Sequence, residues 1–520
     1  MKTKQLFFCS LTGLALLTAS CSSNDEALNG GDGTTSEGKT YAQIAISVAN
    51  SATTRTTTPG NTGDEAYGDD AEYTVNDLTV VLANENDIAM QVITPTLKTA
   101  TNTDDDDKLV RVTEPFKCTP GTYKVYVLAN YKNSQDALTP IIKGSTDMKA
   151  EFGITNIAKL SITDEFFMTN VSAPERQEIK EAATGKELND AGKDETKEGA
   201  ATNLNILTVN VERAVSKVTF DNTDNQSFNV MVGDNKIATA TLEGASLINL
   251  NKKMYLVKEG RTATNKPAGV TDKWPYPMDP NYSQTSIDEV YCKANFEQRS
   301  ATVFPAPSTA TFYCPENTME ASAQLNGQTT GVVYKVKYAP EAAYYTELAA
   351  ENGTDSYSKM FEAVLKLANG VRNPDIKNTI FTDADKTDGT FYSYNGYVFK
   401  SMAGARLYKA IATNTDGEAA TVNGAFKTEN NDGIQTYAEG YCYYTAWIKH
   451  NPGGTTMQQD KYGVVRNFWY ELKVNSIKKL GYSKPTYEKP TDPDDKAEAS
   501  IQVQVKIKKW RLVKQNVDLE

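Results

Sequence analysis

The sequence predicts an all-β protein, and three observations support that fold class. Tyrosine (28) outnumbers phenylalanine (17), and the chain is rich in Thr, Val, Asn and Gly, a composition typical of strands joined by polar turns. Several segments alternate apolar and polar residues with a period of two, as half-buried strands do. Helical spacing of apolar residues stands out in one segment, Tyr357–Gly370, so we expect helices to be minor.

Length and charge narrow the function classes. A chain of 520 residues predicts two or more domains with a sizeable core. The formal net charge of −12 at pH 7 argues against nucleic-acid binding, because phosphates need a basic face. The single histidine, His450, argues against histidine-based triads and metal sites. No phosphate loop, serine elbow or paired-carboxylate motif stands out. We therefore expect no enzymatic activity, no cofactor and no metal.

The first twenty residues have the features of a secretory signal peptide. Two lysines precede an apolar run from Leu6 to Leu17, which is shorter than the roughly 20 residues of a membrane-spanning helix. Either plain cleavage after Ser20 or lipidation of Cys21 fits this pattern. The small residues before Cys21 favour lipidation, and the polar stretch Ser22–Thr40 is typical of an unfolded tether.

Alternating residues predict strands along the whole body. In the first strand, Tyr41–Asn50, Ile44, Ile46 and Val48 alternate with polar or small residues. The loop after it, Ser51–Asp70, is rich in Thr, Gly and Asp and has Arg55 as its only basic residue. Further strands are predicted at Leu78–Leu82, Tyr123–Leu128, Leu204–Val211, Val215–Phe220, Gly440–Lys449 and Tyr462–Val474.

The C-terminal tail combines a linker composition with a well-patterned strand. Ser483–Ser500 holds three prolines and many charged residues. The apolar residues after this linker alternate with Gln and Lys, and the pattern predicts one more strand. Two arrangements remain open: the strand folds back onto its own domain, or it completes the sheet of a neighbouring copy by strand addition. The residues in question are Ile501, Val503, Val505, Ile507 and Trp510.

Four cysteines remain beyond the signal and lipidation region: Cys118, Cys292, Cys314 and Cys442. An oxidising compartment permits two disulfides, and buried free thiols are the alternative. No CxxC spacing is present, so no zinc site is expected.

Motifs distributed over the whole chain indicate a family. They are the lipoprotein-like start with Arg55 after the first strand, Phe166–Asn170, Val211–Val218, Tyr443–Trp447, Val465–Val474, Val505–Trp510 and Val517–Leu519. In this order and spacing they resemble the major fimbrial subunits (fimbrillins) of Bacteroidales, which build the shafts of type V pili. The resemblance implies two transthyretin-like β-sandwich domains in tandem, with minor helices and a C-terminal donor strand.

The resemblance also implies how such a protein assembles. An outer-membrane lipoprotein precursor is cut between Arg55 and Thr56 by an Arg-specific surface protease, which releases the first strand with its lipid. The tail strand of the next copy then fills the emptied groove, giving a head-to-tail polymer that also contains anchor and tip fimbrial subunits. The implied organisation is signal peptide 1–20, tether and removable strand 21–55, sandwich domains 56–212 and 213–482, and linker with donor strand 483–520.

Two other function classes are alternatives to a shaft subunit that supports adhesion. A surface glycan-binding lipoprotein should present aromatic residues on loops, whereas Trp447, Trp469 and Trp510 lie in strand-like alternation, which is typical of core residues. An extracellular hydrolase should carry a catalytic constellation, and none is recognisable. Among fimbrial subunits, a tip protein should lack the tail strand and an anchor should keep its first strand, so Arg55 together with the tail favours the shaft.

Overall fold

The computed structural model describes residues 40–48, 65–98, 101–102, 109–180, 205–222, 226–260, 276–297, 301–342, 388–413, 431–485, 489–497 and 500–511. Strands dominate these ranges, and two α-helices occur within them, which confirms the predicted all-β class. The predicted helix at Tyr357–Gly370 lies outside the described residues, as do Cys21, Arg55 and Thr56.

The strands of the first half of the chain form mainly one sheet, the N-terminal sheet. In chain order they are β1 (Thr40–Val48), β2 (Glu65–Tyr67), β3 (Leu78–Ala83), β4 (Ala89–Ile93), β5 (Thr101–Asn102), β6 (Leu109–Val112), β7 (Phe116–Cys118), β8 (Gly121–Ala129), β9 (Phe152–Gly153), β10 (Ser161–Ile162), β11 (Glu165–Phe166), β12 (Met168–Asn170), β13 (Arg176–Ile179) and β14 (Asn205–Arg213). The order in the N-terminal sheet is β4-β3-β8-β12-β14-β1-β6-β5, with β13 on β8 and β7 on β1, while β10 and β11 pair with each other.

The second half of the chain builds two further sheets. Its elements are β15 (Val215–Phe220), β16 (Ser227–Val232), β17 (Asn235–Ile248), β18 (Leu250–Asn251), β19 (Lys253–Met254), α1 (Glu289–Asn295), β20 (Phe296–Glu297), β21 (Thr311–Pro315), β22 (Gly331–Pro340), β23 (Phe391–Tyr394), β24 (Tyr397–Phe399), α2 (Met402–Thr413), β25 (Gln435–Tyr437), β26 (Tyr441–Trp447), β27 (Phe468–Ile477) and β28 (Ile501–Arg511). The tail sheet has the order β2-β28-β27-β15-β21, and the facing sheet has the order β16-β17-β22-β26. Smaller sheets are β24-β23-β25, β18-β20 and β19-β9.

A continuous apolar core runs through all three sheets. The tail sheet and the facing sheet contact each other through aromatic side chains, and Phe220 of β15 lies edge-on to Tyr334 of β22 with 6.0 Å between ring centroids. The chain passes from the N-terminal sheet to the tail sheet through Ala214, which is itself buried. The two sheets therefore meet closely at this crossing.

The predicted strands agree with the observed ones at five of the six internal positions to within two residues. The prediction for Tyr462–Val474 was wrong at its start, because β27 begins only at Phe468. Gly463 and Asn467 adopt positive φ angles of 113° and 63°, which a strand cannot continue through. The apolar residues of 462–467 are buried in an irregular segment, so hydrophobicity alone suggested a strand.

Candidate assembly site

The first strand lies inside the N-terminal sheet with a neighbour on each edge. β1 runs parallel to β14, from Ala42 opposite Asn205 to Val48 opposite Val211. On its other edge it pairs antiparallel with β6 and β7. Thr113 adds a further attachment, because its hydroxyl accepts a hydrogen bond from the Ile44 amide (3.2 Å) and its own amide donates to the Ile44 carbonyl (3.0 Å).

The inward side chains of β1 are part of the core. Ile44, Ile46 and Val48, the predicted residues of the displaced strand, are 0%, 1% and 0% exposed. Each such side chain contributes about 1.5–3 kcal/mol on burial. Removal of β1 would leave an apolar groove bordered by unpaired backbone groups of β14 on one side and of β6 and β7 on the other. Such edges favour addition of another strand.

The tail strand folds back onto its own chain, which is the first of the two arrangements that the sequence left open. β28 pairs antiparallel with β27 from Ile501 opposite Ile477 to Lys509 opposite Phe468. On its other edge, the strand partner among the described residues is the three-residue β2, which pairs in parallel at Lys509–Arg511. Of the predicted donor residues, Ile501, Val505 and Ile507 are buried and Val503 is half-buried, whereas for Trp510 only the backbone is described.

Part of the predicted linker is docked on the protein. The amide of Asp494 donates to the Gln324 carbonyl (3.1 Å), and the amide of Gly327 donates to the Pro490 carbonyl (2.8 Å). The Asp494 carboxyl is fully buried and accepts a hydrogen bond from the Thr329 hydroxyl at 2.5 Å. Burial, reinforced by the charge of Asp495, holds the pKa of Asp494 well above its usual range despite the Thr329 bond. This environment favours the protonated form of the Asp494 carboxyl.

Asp495 attaches the same segment from its other side. Its carboxylate accepts hydrogen bonds from the Lys461 ammonium (2.5 Å), the Tyr462 hydroxyl (2.7 Å) and the Met457 amide (2.7 Å). Residues 489–497 are thus fixed to the C-terminal half of the chain, and β28 begins only a few residues later.

A buried polar network joins the neighbour of β1 to the neighbour of β28. Glu212 of β14 accepts a hydrogen bond from the Lys258 ammonium (3.0 Å), and the side-chain Nδ2 of Asn467, just before β27, donates to the same carboxylate (3.5 Å). Arg213 donates its Nε–H to the Asn467 side-chain oxygen at 2.9 Å. Burial lowers the pKa of Arg213 to about 10, against the opposing effect of nearby carboxylates, so the guanidinium stays charged.

A second buried ion pair lies beside this network. Glu72 and Lys217 of β15 are 2.7 Å apart with side chains 3% and 6% exposed, and Tyr313 donates a hydrogen bond to Glu72. The Lys217 ammonium also lies over the ring of Trp469, 4.0 Å from its centroid. Sequence reasoning missed both groups of residues, because their members are separated by up to about half the chain and no local pattern links them.

The described cysteines are free thiols rather than disulfides. Cys118, Cys292, Cys314 and Cys442 are all buried. Burial raises the pKa of Cys118 and Cys314 to about 12 and that of Cys442 to about 11. Cys118 of β7 is paired with Thr40 of β1, so one of these buried thiols belongs to a residue next to the first strand.

The histidine and two of the tryptophans that a hydrolase or a glycan-binding protein could use are buried or half-buried in the structure. His450 is fully buried, and its Nδ1 lies 2.6 Å from the Tyr470 hydroxyl. Trp447 is 5% exposed, and Trp469 is half-buried with its indole N–H donating to Thr219 at 2.7 Å. Within the described ranges no cluster of acidic, Cys and His side chains is suited to a metal ion. No helix among these residues is long and apolar enough to cross a membrane.

The structure places the two predicted strands in different sheets of the single chain, β1 in the N-terminal sheet and β28 in the tail sheet. The lipidation residue Cys21 and the cleavage residues Arg55 and Thr56 lie outside the described residues. Cleavage, lipidation and donation of β28 therefore stay predictions.

Comparison with solved structures finds fimbrial and adhesion proteins at low identity. A candidate cell adhesion protein of Parabacteroides distasonis is 12% identical, with 91% of this chain and 99% of that chain covered and a TM-score of 0.40. A fimbrilin of Porphyromonas gingivalis is 12% identical, with 92% and 99% covered and a TM-score of 0.37. The tip fimbrial protein Mfa3 of the same species is 11% identical, with 90% and 100% covered and a TM-score of 0.31.

No curated protein sequence matches the chain. Two family profiles do. Residues 42–256 match the major fimbrial subunit protein (FimA), and residues 435–516 match the C-terminal part of fimbrillin, the major fimbrial subunit protein type IV. Together the two profiles cover more than half of the chain; the first includes most of β1 and the second includes β28. The chain belongs to the major fimbrial subunit family, a family of structural components of surface fimbriae and not of enzymes.

Proposed function

We propose that this chain is the shaft subunit of a surface fimbrium that polymerises by protease-triggered donor-strand exchange. The observation that carries the proposal is the position of β1. It is a strand at the N-terminal side of the described chain, yet it lies inside a sheet with a neighbour on each edge and its inward side chains in the core. A strand in that position is structurally required and can be removed by a single cut on its C-terminal side.

Residues 49–64 connect β1 to β2, and they contain Arg55. As long as this connection is intact, β1 is held at a high effective concentration beside its groove and outcompetes a strand from another molecule. A cut between Arg55 and Thr56 turns β1 into a separate peptide whose dissociation is no longer reversed by the tether. Lipid on Cys21 would leave with that peptide, which releases the subunit from the outer membrane.

The tail strand has the side-chain spacing that the groove requires. Ile501, Val503, Val505 and Ile507 alternate as Ala42, Ile44, Ile46 and Val48 do in β1. In its own sheet, however, β28 already buries most of these side chains. Exchange thus gains little from their burial alone. Two other contributions favour strand exchange: the donor forms hydrogen bonds along a second edge in the groove, and it covers the apolar surface of the vacated groove.

The docked part of the linker determines which residues can move. Residues 489–497 are attached through Asp494 and Asp495, so the donor segment would swing about residues near Ser500 while its base stays on its own subunit. The resulting contact joins the C-terminal half of one copy to the N-terminal sheet of the next. Such a contact is heterologous and generates a head-to-tail filament.

The proposed partners are those that this assembly requires. They are further copies of the chain, an Arg-specific protease at the cell surface, and anchor and tip fimbrial subunits at the ends of the filament. The solved structures that resemble the chain include one described as a tip fimbrial protein and one described as a fimbrial assembly protein. Adhesion of the cell through the filament is the proposed outcome.

The experiment is assembly of purified precursor after limited proteolysis, followed by electron microscopy. Arg55→Ala should give monomers that retain β1 after treatment with either trypsin or an Arg-specific protease. Arg55→Lys is the matched control: trypsin should still trigger polymerisation, whereas the Arg-specific protease should not. Normal polymers from Arg55→Ala, with β1 still attached, would contradict the proposal.

A further inference from the structure

We propose that β2 clamps the far end of β28 on its own sheet, and that the cut which frees β1 also loosens this clamp. The inference rests on the proposed function and concerns its regulation. β2 pairs in parallel with β28 through Glu65–Lys509, Ala66–Trp510 and Tyr67–Arg511. Vacating the groove and releasing the donor are thereby controlled by one event.

The clamp lies where release of the strand must begin. The N-terminal end of β28 follows a few residues after the docked residues 489–497, so separation of the strand from its sheet starts at the opposite end. The ladder with β27 ends at Phe468 opposite Lys509. For Trp510 and Arg511, the only strand partner among the described residues is β2. The pairing between β2 and β28 must therefore break before β28 can separate from β27.

β2 is anchored on both sides in the uncut chain. On its C-terminal side, Glu72 is held in the buried ion pair with Lys217, and its carboxylate accepts from the Asp69 amide at 3.0 Å. On its N-terminal side, residues 49–64 connect it to β1, which is fixed in the N-terminal sheet. A strand of three residues has few hydrogen bonds of its own, so its stability depends on these anchors.

Cleavage after Arg55 removes one anchor and leaves the other. β2 then lies close to a new chain end that begins at Thr56, and segments near chain ends fray unless they are tied down. The Glu72–Lys217 ion pair keeps the base of the segment in place, so the clamp weakens without unfolding the residues on its C-terminal side. The uncut precursor, in contrast, keeps both its groove filled and its donor strand held.

The first test removes the clamp without the cut. The full-length precursor with Cys21→Ser would carry Glu65→Gly, Ala66→Pro and Tyr67→Gly, which destroy strand pairing at β2. We expect amide exchange at Lys506–Arg511 to accelerate roughly tenfold, as loss of one or two hydrogen bonds implies. Exchange in β1 should stay unchanged, and the protein should stay monomeric because β1 still fills the groove. Ala66→Val, which favours strand conformation, is the matched control and should slow this exchange.

The second test applies the cut alone. In the unchanged protein, exchange at Lys506–Arg511 should rise within minutes of cleavage, at concentrations too low for polymerisation. After cleavage at higher concentration, the triple variant should polymerise faster than the unchanged protein. Equal exchange before and after the cut, together with equal polymerisation rates, would overturn the clamp while leaving donor-strand exchange intact. If the cleaved protein without substitutions does not polymerise at all, the proposed function is overturned instead, whatever the amide exchange rates show.

Discussion

β1 and β28 bury alternating aliphatic residues to almost the same extent, yet their surroundings differ. Within the part of the chain that the structure describes, β1 has strand neighbours along both edges, whereas β28 has one long neighbour and the three residues of β2. Side-chain burial therefore does not distinguish the strand proposed to be discarded from the strand proposed to be donated. Edge pairing does, because a strand attached along one edge separates at lower cost than a strand attached along two.

The largest expected effect on stability comes from the buried polar network that links β14, the neighbour of β1, to β27, the neighbour of β28. Glu212→Ala removes the carboxylate facing Lys258 in a site where both side chains are buried, which should cost about 3–5 kcal/mol of unfolding free energy. Chemical denaturation measures this loss. The double change Glu212→Gln with Lys258→Met removes both charges and should recover much of it. If β1 and β28 are coupled through Asn467, amide exchange should rise in both strands; a rise in β1 alone would show that the network does not join them.

A pair of truncations compares the two strands directly. Ile46→Ala in β1 should destabilise the precursor by about 2–5 kcal/mol, because the site is fully packed. Val503→Ala in β28 should cost the monomer less than about 1.5 kcal/mol, because Val503 is only half-buried there.

The same Val503→Ala change should weaken the polymer more than the monomer, since the groove would bury this side chain completely. Resistance of assembled filaments to denaturant measures the difference. The matched control is Gln504→Ala, at an exposed position of β28, which should leave both states nearly unchanged. Equal sensitivity of polymer and monomer to Val503→Ala would argue against the proposed register of donation.

A smaller effect should depend on pH and should affect β28 more than β1. Because the pKa of Asp494 is raised in the folded protein, its proton stabilises the fold fully below the ordinary pKa of 3.8. That contribution is lost as the pH rises from this value towards the raised pKa. Asp494→Asn should flatten the fall in stability as the pH rises above 3.8. Asp279, whose pKa burial raises to about 8, contributes equally to both proteins and cancels in the comparison. Identical pH slopes for the two proteins would contradict the assignment.

The smallest effect involves no change in stability. Cys118 is covered beside β1, whereas Cys314 and Cys442 belong to the tail sheet and the facing sheet. After cleavage and loss of β1, Cys118 should react with a thiol reagent, while the other two stay protected. Mass spectrometry of labelled peptides measures this, with the uncut precursor as control. Protection of Cys118 in a cut monomer that lacks β1 would mean that the groove closes on itself.

Much of the fold could be predicted from the local alternation of apolar and polar residues, but the assembly site could be predicted only in part. Alternation located β1 to within two residues and the start of β28 at Ile501, because strand periodicity is a property of neighbouring residues. It could not tell which sheet β28 joins, since the same pattern fits any half-buried position. The pairing of Glu212 with Lys258 and of Glu72 with Lys217 could not be predicted either, because tertiary folding brings these residues together and no local pattern links them.

The two-sided position of β1 has a mechanical consequence if a donor takes it over. A filament on a cell surface is pulled along its length, and a strand held between two neighbours and loaded along its own axis must break its ladder hydrogen bonds collectively. A strand attached at one edge and loaded at its end opens bond by bond, at lower force. Transfer of β28 from its own sheet to the vacated groove would therefore convert a joint that peels into one that resists shear, which is the property that a load-bearing shaft needs.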